Sequence, residues 1–313
     1  MKLISVVTPC FNEQDNILEL YDRVKSVFNK QLKNYTYEHI FIDNSSTDKS
    51  IEIIKEIIES DKNVKLIVNS RNFGHMRSPV HGMFQASGDV IISLVSDLQD
   101  PPEMIPRLID EWEKGSDIVL AIKETSKENA FMFKLRKIYY RILNKLSEIE
   151  IFENFTGFGL YTKQVMYSIK QLDDPYPFFR GMVAEVGFNV TKIDYDQPVR
   201  KKGITKNNFY TLYDIGILGI ISNSKIPLRL AIFLGGGFGI ISFSVGVLYL
   251  VLKIMFWDTF SVGIAPIIIL LAFMFSVFLF FIGLIGEYIG AIYTQVHRRP
   301  LVFEKERINF DKT

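Results

Sequence analysis

The sequence predicts an α/β domain built on a mostly parallel sheet, followed by a pair of membrane-crossing helices. Three observations predict it. Short β-branched runs alternate with helix-spaced apolar residues from Leu3 to Ala121. Polar residues directly follow the first, second and fourth of those runs. Two later stretches, Leu230 to Leu252 and Thr259 to Gly286, hold no charged residue. Each exceeds the ~20 residues a helix needs to cross a bilayer core.

Taken in order, Leu3 to Pro9 is a buried strand ended by proline. Glu13 to Asn29 carries Ile17, Leu20, Tyr21, Val24, Val27 and Phe28 at helical spacing. Tyr37 to Asp43 is the second strand, and Ser46-Thr47-Asp48 caps a helix with Ile51, Ile54, Ile57 and Ile58 on one face. Val64 to Val68 is the third strand. A helix over Met76 to Ala86 leads to a fourth at Gly88 to Leu94. Asp100-Pro101-Pro102-Glu103 then reads as a helix start, with Asp100 as the cap. That helix, to Lys114, leads to a fifth strand at Asp117 to Ala121. Phe131 to Ile149 alternates apolar and basic residues, as an interfacial helix or a core helix with a solvated basic face would. Phe209 to Ser222 is a second interfacial candidate. Phe178 to Gly181 and Arg200 to Lys206 read as basic loops. Arg200, Lys202 and Lys206 could neutralise phosphates or simply be solvated.

The domains expected are a catalytic unit over 1–224, a hairpin over 225–291 and a tail over 292–313. Lys225 and Arg229 precede the first span, and His297-Arg298-Arg299 follow the second. Lys253 is the one basic residue between them. The positive-inside bias puts both long ends in the cytoplasm, making a multi-pass inner-membrane protein whose catalytic domain faces the cytoplasm. Gly235-Gly236-Gly237 and Gly239 suit close helix packing, which leaves a homo-oligomer open. Glu287 marks the cytoplasmic end of the second span. The net charge of +1 offers no argument for nucleic acid as a partner. The single cysteine, Cys10, forms no intrachain disulfide and suits a reducing compartment. No secretory signal is expected, since Leu3 to Val7 is too short.

Strands of one parallel sheet end on the same side, so Phe11-Asn12-Glu13, Asp43-Asn44-Ser45 and Asp97 should line one crevice. Amides and carboxylates on the first two suit the edge of a base and a ribose. Asp97 and Gln99, two residues apart on a strand-to-helix turn, suit a hard cation such as Mg²⁺ or Mn²⁺ that also holds phosphates. They would equally serve as a surface turn. His75 reads as a loop residue near the donor rather than a ligand.

Five runs carry a resemblance: Pro9-x-Phe11-Asn12-Glu13, Asp43 to Asp48, Ser70-Arg71-Asn72-Phe73-Gly74, Ser87-Gly88-Asp89 and Asp97 to Glu103. Together they resemble the inverting glycosyltransferases of family 2. The branch is that of dolichol-phosphate mannosyl synthase and the bacterial polyprenyl-phosphate glycosyltransferases. The resemblance spans essentially the whole chain. It implies a Rossmann-like GT-A domain with interfacial amphipathic helices and a C-terminal two-helix hairpin. It implies that Pro9, Phe11, Asn12, Glu13, Asp43, Asn44 and Ser45 hold a nucleotide-sugar donor, beside Arg71, Asn72, Gly74 and Ser96. Arg200 and Lys206 would close over the phosphates, Asp97 and Gln99 would hold the metal, and Arg136 and Arg141 would meet an acceptor phosphate. Asp97, Arg136, Arg141 and Lys206 are the catalytic candidates.

Four positions depart from the family pattern. The usual Asp-Asp-Gly-Ser is Asp43-Asn44-Ser45-Ser46, and the first Asp of Asp-x-Asp is Val95. The Lys that often follows Asn-Phe-Gly is His75. An Asp often given a catalytic role is Gly157. A sugar hydroxyl needs a base before it attacks. A phosphate monoester, with a second pKa of about 6, is already ionised. The expectation is therefore transfer of a sugar, UDP-linked by preference, to polyprenyl phosphate in the membrane. The alternatives are transfer to a hydroxyl of a lipid-linked saccharide, and a non-catalytic membrane module.

Overall fold

A computed structural model describes residues 1–123, 152–198, 225–256 and 264–310. The elements are β1 (Leu3–Cys10), α1 (Ile17–Gln31), β2 (Thr36–Asp43), α2 (Ser50–Ser60), β3 (Val64–Asn69), α3 (Gly74–Phe84) and β4 (Val90–Ser93). They continue with α4 (Ile105–Glu113), β5 (Ile118–Lys123), β6 (Phe155–Thr162), α5 (Lys163–Gln171), α6 (Phe179–Glu185) and β7 (Val190–Tyr195). The chain closes with α7 (Ile226–Met255), α8 (Ile264–His297) and β8 (Glu304–Ile308).

The eight strands form one sheet in the order β7-β5-β6-β4-β1-β2-β3-β8. The pairs β1/β2, β2/β3, β1/β4 and β5/β7 are parallel. Strands β6 and β8 run against their neighbours. Alternate residues of the central strands bury against opposite layers, as a two-residue side-chain period dictates. Ile4, Val6, Phe41 and Leu66 pack under α1, α2 and α4. Val7, Ile40, Ile42 and Ile67 pack under α3, α5 and α6. Each fully buried side chain of this kind contributes about 1.5–3 kcal/mol. The apolar face expected of α1 is the face it buries.

The amino ends of the strands are tied by a buried carboxylate. Glu38 accepts from Ser5 Oγ, from the Ser87 amide at 2.7 Å and from Lys65 Nζ at 2.6 Å. Asp89 accepts from the Leu3 amide at 2.8 Å. A Cβ on Gly88 would lie 2.6 Å from Ser5 Oγ and 2.8 Å from the Leu3 carbonyl. The Ser87-Gly88-Asp89 run is thus a backbone fit at the end of the sheet away from the strand-end crevice.

Several expectations are corrected. Phe178 to Gly181 is no loop: Phe179 opens α6. Helix α2 begins at Ser50, because Ser46 and Thr47 are engaged with the β1 loop instead of capping it. Asp100 caps no helix. Pro102–Met104 forms a short 3-10 turn before α4, and the Asp100 carboxyl turns inward. His75 lies in the first turn of α3. The tail is no separate segment, since β8 pairs with β3 as the edge strand of the sheet.

Helices α7 and α8 are each long and apolar enough to cross a membrane. No side chain of α7 is buried, whereas a core helix of a soluble domain would hide its apolar face. The hairpin is a membrane-associating element. The two spans hold the uncharged runs seen in the sequence, but α8 continues to His297, well past Glu287. The expected interfacial helices over 131–149 and 209–222, and with them Arg136, Arg141, Arg200 and Lys206, lie outside the described residues.

Candidate functional site

Strand β1 lies between β2 and β4, where the order of the sheet reverses. Cys10 sits opposite Asp43 and Val7 opposite Ser93. The segments that leave these three strands therefore emerge along one edge, at the switch point where open α/β sheets take ligands.

The first two segments lock each other. The Asn12 amide donates to Ser46 Oγ at 2.9 Å, while Asn12 Oδ1 accepts from the Thr47 amide at 2.8 Å. The Glu13 amide donates to Ser50 Oγ at 2.9 Å, and its carboxylate accepts from Asn16 Nδ2 at 2.6 Å. Asp43 is fully buried and folds its own turn, accepting from the amide and the hydroxyl of Ser46. Burial raises its pKa, against the Ser46 bonds that lower it. The thiol of Cys10 lies 3.7 Å from the Asp43 carboxylate, and burial first, then that charge, pushes it well above its usual value. Cys10 is an inert wall of the edge rather than a nucleophile. Asn12 and Ser45 both hold left-handed backbone, at φ 56° and 67°. Pro9 and Phe11 stand half-buried at the mouth of the same loop.

The loop from Ser70 to Gly74 hangs on one buried amide. Asn44 Nδ2 donates to Asn72 Oδ1 at 2.9 Å and to the Gly74 carbonyl at 3.2 Å. Its Oδ1 accepts from the Phe73 amide at 2.9 Å and from Asn69 Nδ2 at 3.1 Å. Asn72 closes a tight turn by accepting from the Gly74 amide at 2.8 Å. Gly74 sits at φ 84°, which a side chain would resist. Arg71 is exposed, its guanidinium 4.0 Å from the ring centre of Phe73.

The third segment carries the acidic turn. Asp97 Oδ1 accepts from the Gln99 amide at 3.1 Å. Leu98 takes φ 61° and buries its side chain, so Asp97 and Gln99 stay half-buried at the edge while Leu98 pins the turn from beneath. Ser96 is buried below them. Asp100 is buried and accepts from the Tyr195 hydroxyl at 2.9 Å. Burial raises its pKa to about 7, with the nearby Asp97 charge adding to the rise. Asp100 is therefore a prop under the turn, not a second ligand at the edge. Tyr195, at the end of β7, carries that prop. Nothing in its local sequence marks it, because its partner comes from a strand three positions away in the sheet.

The structure thus brings the predicted residues of the three strand ends and the Ser70 to Gly74 loop to one edge. It divides them by task. Asn12, Asp43, Asn44 and Asn72 hold loops in place. Phe11, Glu13, Arg71, Asp97 and Gln99 stand where a ligand could meet them. Asn69, Tyr195 and Phe303, which sequence patterning does not single out, support those loops.

An edge crevice of this kind, with an acidic turn on one strand end and amide-rich loops on its neighbours, is that of a nucleotide-using α/β enzyme. Residues 5–169 match the model of glycosyl transferase family 2, and the chain belongs to that family. It is a glycosyltransferase whose sheet has the GT-A-like build the resemblance implied. Among its relatives, the uncharacterized glycosyltransferase YkcC of Bacillus subtilis is 35% identical over 301 residues, covering 95% of this chain and 91% of that protein. The SfII prophage-derived bactoprenol glucosyl transferase of Shigella flexneri is 35% identical over 298 residues, covering 95% and 96%. Among solved structures, glucosyl-3-phosphoglycerate synthase from Mycobacterium tuberculosis superimposes with a TM-score of 0.48 at 16% identity, covering 70% of this chain and 78% of that one.

Proposed function

We propose that the enzyme transfers a sugar, with inversion, from a UDP-linked donor to a polyprenyl phosphate, undecaprenyl phosphate in a bacterium, at the cytoplasmic leaflet. The product would be a lipid-linked sugar for surface polysaccharide or glycolipid modification. The observation that carries this reading is Gly157. The register of β6 on β4 pairs Gly159 with Ser93, so Gly157 lies two residues further towards the crevice edge. It holds φ 107°, a conformation that disfavours any side chain, and no atom lies within 4 Å of where a Cβ would stand. The backbone here is fitted to glycine, not to a carboxylate base. An acceptor that arrives as a phosphate dianion needs none. Similarity to a bactoprenol glucosyl transferase over nearly the full length of both chains, hairpin included, supports the same acceptor class.

In this reading the phosphate oxygen attacks the anomeric carbon as the bond to the nucleoside diphosphate breaks, one displacement with inversion. Glu13 and Phe11 would meet the nucleoside, and Arg71 the donor's phosphates. Arg136 and Arg141 would orient the acceptor phosphate, and Arg200 and Lys206 would take up charge on the leaving diphosphate. The acidic turn fits a divalent cation that arrives with the donor. Asp97 supplies one carboxylate and Gln99 an amide oxygen, and diphosphate and water complete such a shell. The repulsion between Asp97 and Asp100 is a second sign that positive charge is wanted there. Bound, Mg²⁺ or Mn²⁺ would supply charge stabilisation to the leaving group.

The test is the purified protein in nanodiscs with UDP-sugars, Mg²⁺ or Mn²⁺, and either undecaprenyl phosphate or undecaprenol. A glycolipid formed on the phosphate and not on the alcohol is the expected result. Transfer to the hydroxyl lipid, or no product with any donor, overturns the reading.

A further inference from the structure

We propose that the C-terminal strand β8 is a positioning element for the loop from Ser70 to Gly74, with Phe303 as its contact residue, and that it links this loop to the membrane span α8. The proposal rests on the donor reading above for what the loop binds, but not for what holds it.

The strand is anchored along its length. Ile308 pairs with Leu66, Arg307 with Ile67 and Glu306 with Val68. Asn309 Nδ2 donates to the carbonyls of Lys62 and Val64 at 2.8 and 2.7 Å. Lys55 pairs with Glu306, and His81 and Arg307 converge on Glu304. Covering β3, which would otherwise be an open sheet edge, is the ordinary use of such a strand. Three features go beyond that use. The register slips between Val68 and Asn69, where β3 hands over to the loop, and a slip of this kind re-aims the chain that follows. The Ser70 amide donates to the Phe303 carbonyl at 2.8 Å, past the last ladder pair. The Phe303 ring leans on Phe73, with centroids 6.2 Å apart, while Phe303 itself remains 59% exposed. A residue placed only for burial would not be left so open.

The other end of the connection is as firm. Helix α8 runs from Glu287 to His297 beyond the uncharged span, roughly 15 Å of stalk. Gln295, in its last turns, donates to Asp174 at 2.9 Å. Arg298 stops the helix in left-handed backbone at φ 36°. Arg77, from α3, donates to the carbonyl of Pro300 and lies 5.5 Å from the Phe73 ring centre. Arg298 and Arg299 alone separate the stalk from residues that touch the loop. Displacement of the span has no slack in which to dissipate before it reaches Phe73.

The experiment uses the full chain in nanodiscs and reads amide exchange at Phe73 and Gly74, whose N–H groups are both hydrogen-bonded. Phe303→Ala is expected to speed their exchange by about 10-fold while β1 and β2 amides stay unchanged. Donor KM should rise by about 5-fold with kcat within about 2-fold, and Phe303→Tyr should restore both. Lys55→Ala, which loosens the far end of the strand, serves as the structural control and should move neither. Inserting Gly-Gly between Arg299 and Pro300 should leave the β3/β8 amides protected yet loosen the loop as Phe303→Ala does. Unchanged loop exchange and KM in Phe303→Ala overturns the positioning role, and an inert insertion overturns the link to the span. If loop exchange rises but the wild-type protein binds no nucleotide, the donor reading falls and the positioning of the loop stands.

Discussion

Asn44 stands where the family pattern usually has Asp, and the geometry says this chain could not take the carboxylate back cheaply. Its amide nitrogen faces two acceptors, Asn72 Oδ1 and the Gly74 carbonyl, while its oxygen faces two donors. Asn44→Asp keeps the shape and the two accepted bonds but sets a buried anion against two oxygens. Losing the donated bonds costs about 1 kcal/mol each. The anion can escape by taking a proton, so its electrostatic cost is capped at about 1.4 kcal/mol per pH unit above an ordinary value near 3.9. At pH 8 the cap is about 5.5 kcal/mol, and at pH 5 about 1.5 kcal/mol. An acid whose folded pKa is raised loses stability as pH climbs from its unfolded value towards its folded one, so the variant should weaken steadily from pH 4 upwards. With about 2–4 °C per kcal/mol for a domain of this size, Tm relative to wild type should fall several degrees further at pH 8 than at pH 5. Asn44→Ala, which carries no titratable group, should lose a pH-independent amount of about 2–4 kcal/mol from its orphaned partners. Thermal unfolding across that pH range measures both. A flat difference for Asn44→Asp, or wild-type stability at pH 8, would refute the hydrogen-bond scheme drawn for this loop.

Four further outcomes are expected. Burial alone would raise the Glu38 pKa, but the bonds from Lys65, Ser5 and Ser87 outweigh it and hold it below its ordinary value. Its stabilisation is therefore present above about pH 4.5 and is lost as pH falls through the lowered folded value. Glu38→Gln should cost about 3–5 kcal/mol at pH 7 and much less at pH 3.5, by denaturant unfolding at the two pH values. Asp97→Asn should leave Tm within about 2 °C, because the side chain props no other element, yet abolish metal-stimulated nucleotide binding by calorimetry and cut turnover by about 100-fold or more. Gly157→Ala meets open space but a forbidden backbone, and should lower stability by about 1–3 kcal/mol with the sheet otherwise unchanged in circular dichroism. Single cysteines at Lys33 and Lys305, in a Cys10→Ser background, should be alkylated from the same side of sealed vesicles. Strand β8 sits in the sheet that holds the N-terminal strands, so the hairpin crosses twice.

What the sequence made legible follows from where its periodicities were local. The apolar face of α1 is visible because six residues repeat within a single helix. The switch-point crevice is visible because parallel strands must end together. The region after Lys123 resisted for a physical reason. Strand β6 reads Phe-Thr-Gly-Phe-Gly-Leu-Tyr-Thr, with two glycines that weaken any strand signal. Gly159 is required there because a Cβ would lie 2.5 Å from the Val119 carbonyl, a contact made by a neighbouring strand and not by anything nearby in the chain. Strand β8 hid for the opposite reason. Glu304-Lys305-Glu306-Arg307 looks like a solvated charge run, and becomes a strand because Lys55, His81 and Gln85 wait on the surface it covers.

The departures from the family pattern acquire different weights once the scaffold is known. Asn44 and Ser45 replace Asp and Gly inside a turn whose job is to hold Thr47, Asn12 and the Phe73 loop, so the change falls on scaffolding. Ser45 still takes φ 67°, the backbone that glycine would supply, at a cost of about 1–2 kcal/mol. The buried Asp43 below it and the Asn12 bonds beside it over-determine that turn and offset the strain. Val95 and Gly157 are another matter, because they subtract charge at the crevice itself. The two losses are coupled in effect. A site with one carboxylate at its acidic turn and none at position 157 can still grip a diphosphate through a shared cation, but it holds less negative charge against an incoming anion. An acceptor that is itself a phosphate dianion gains from both subtractions, and a neutral hydroxyl gains from neither.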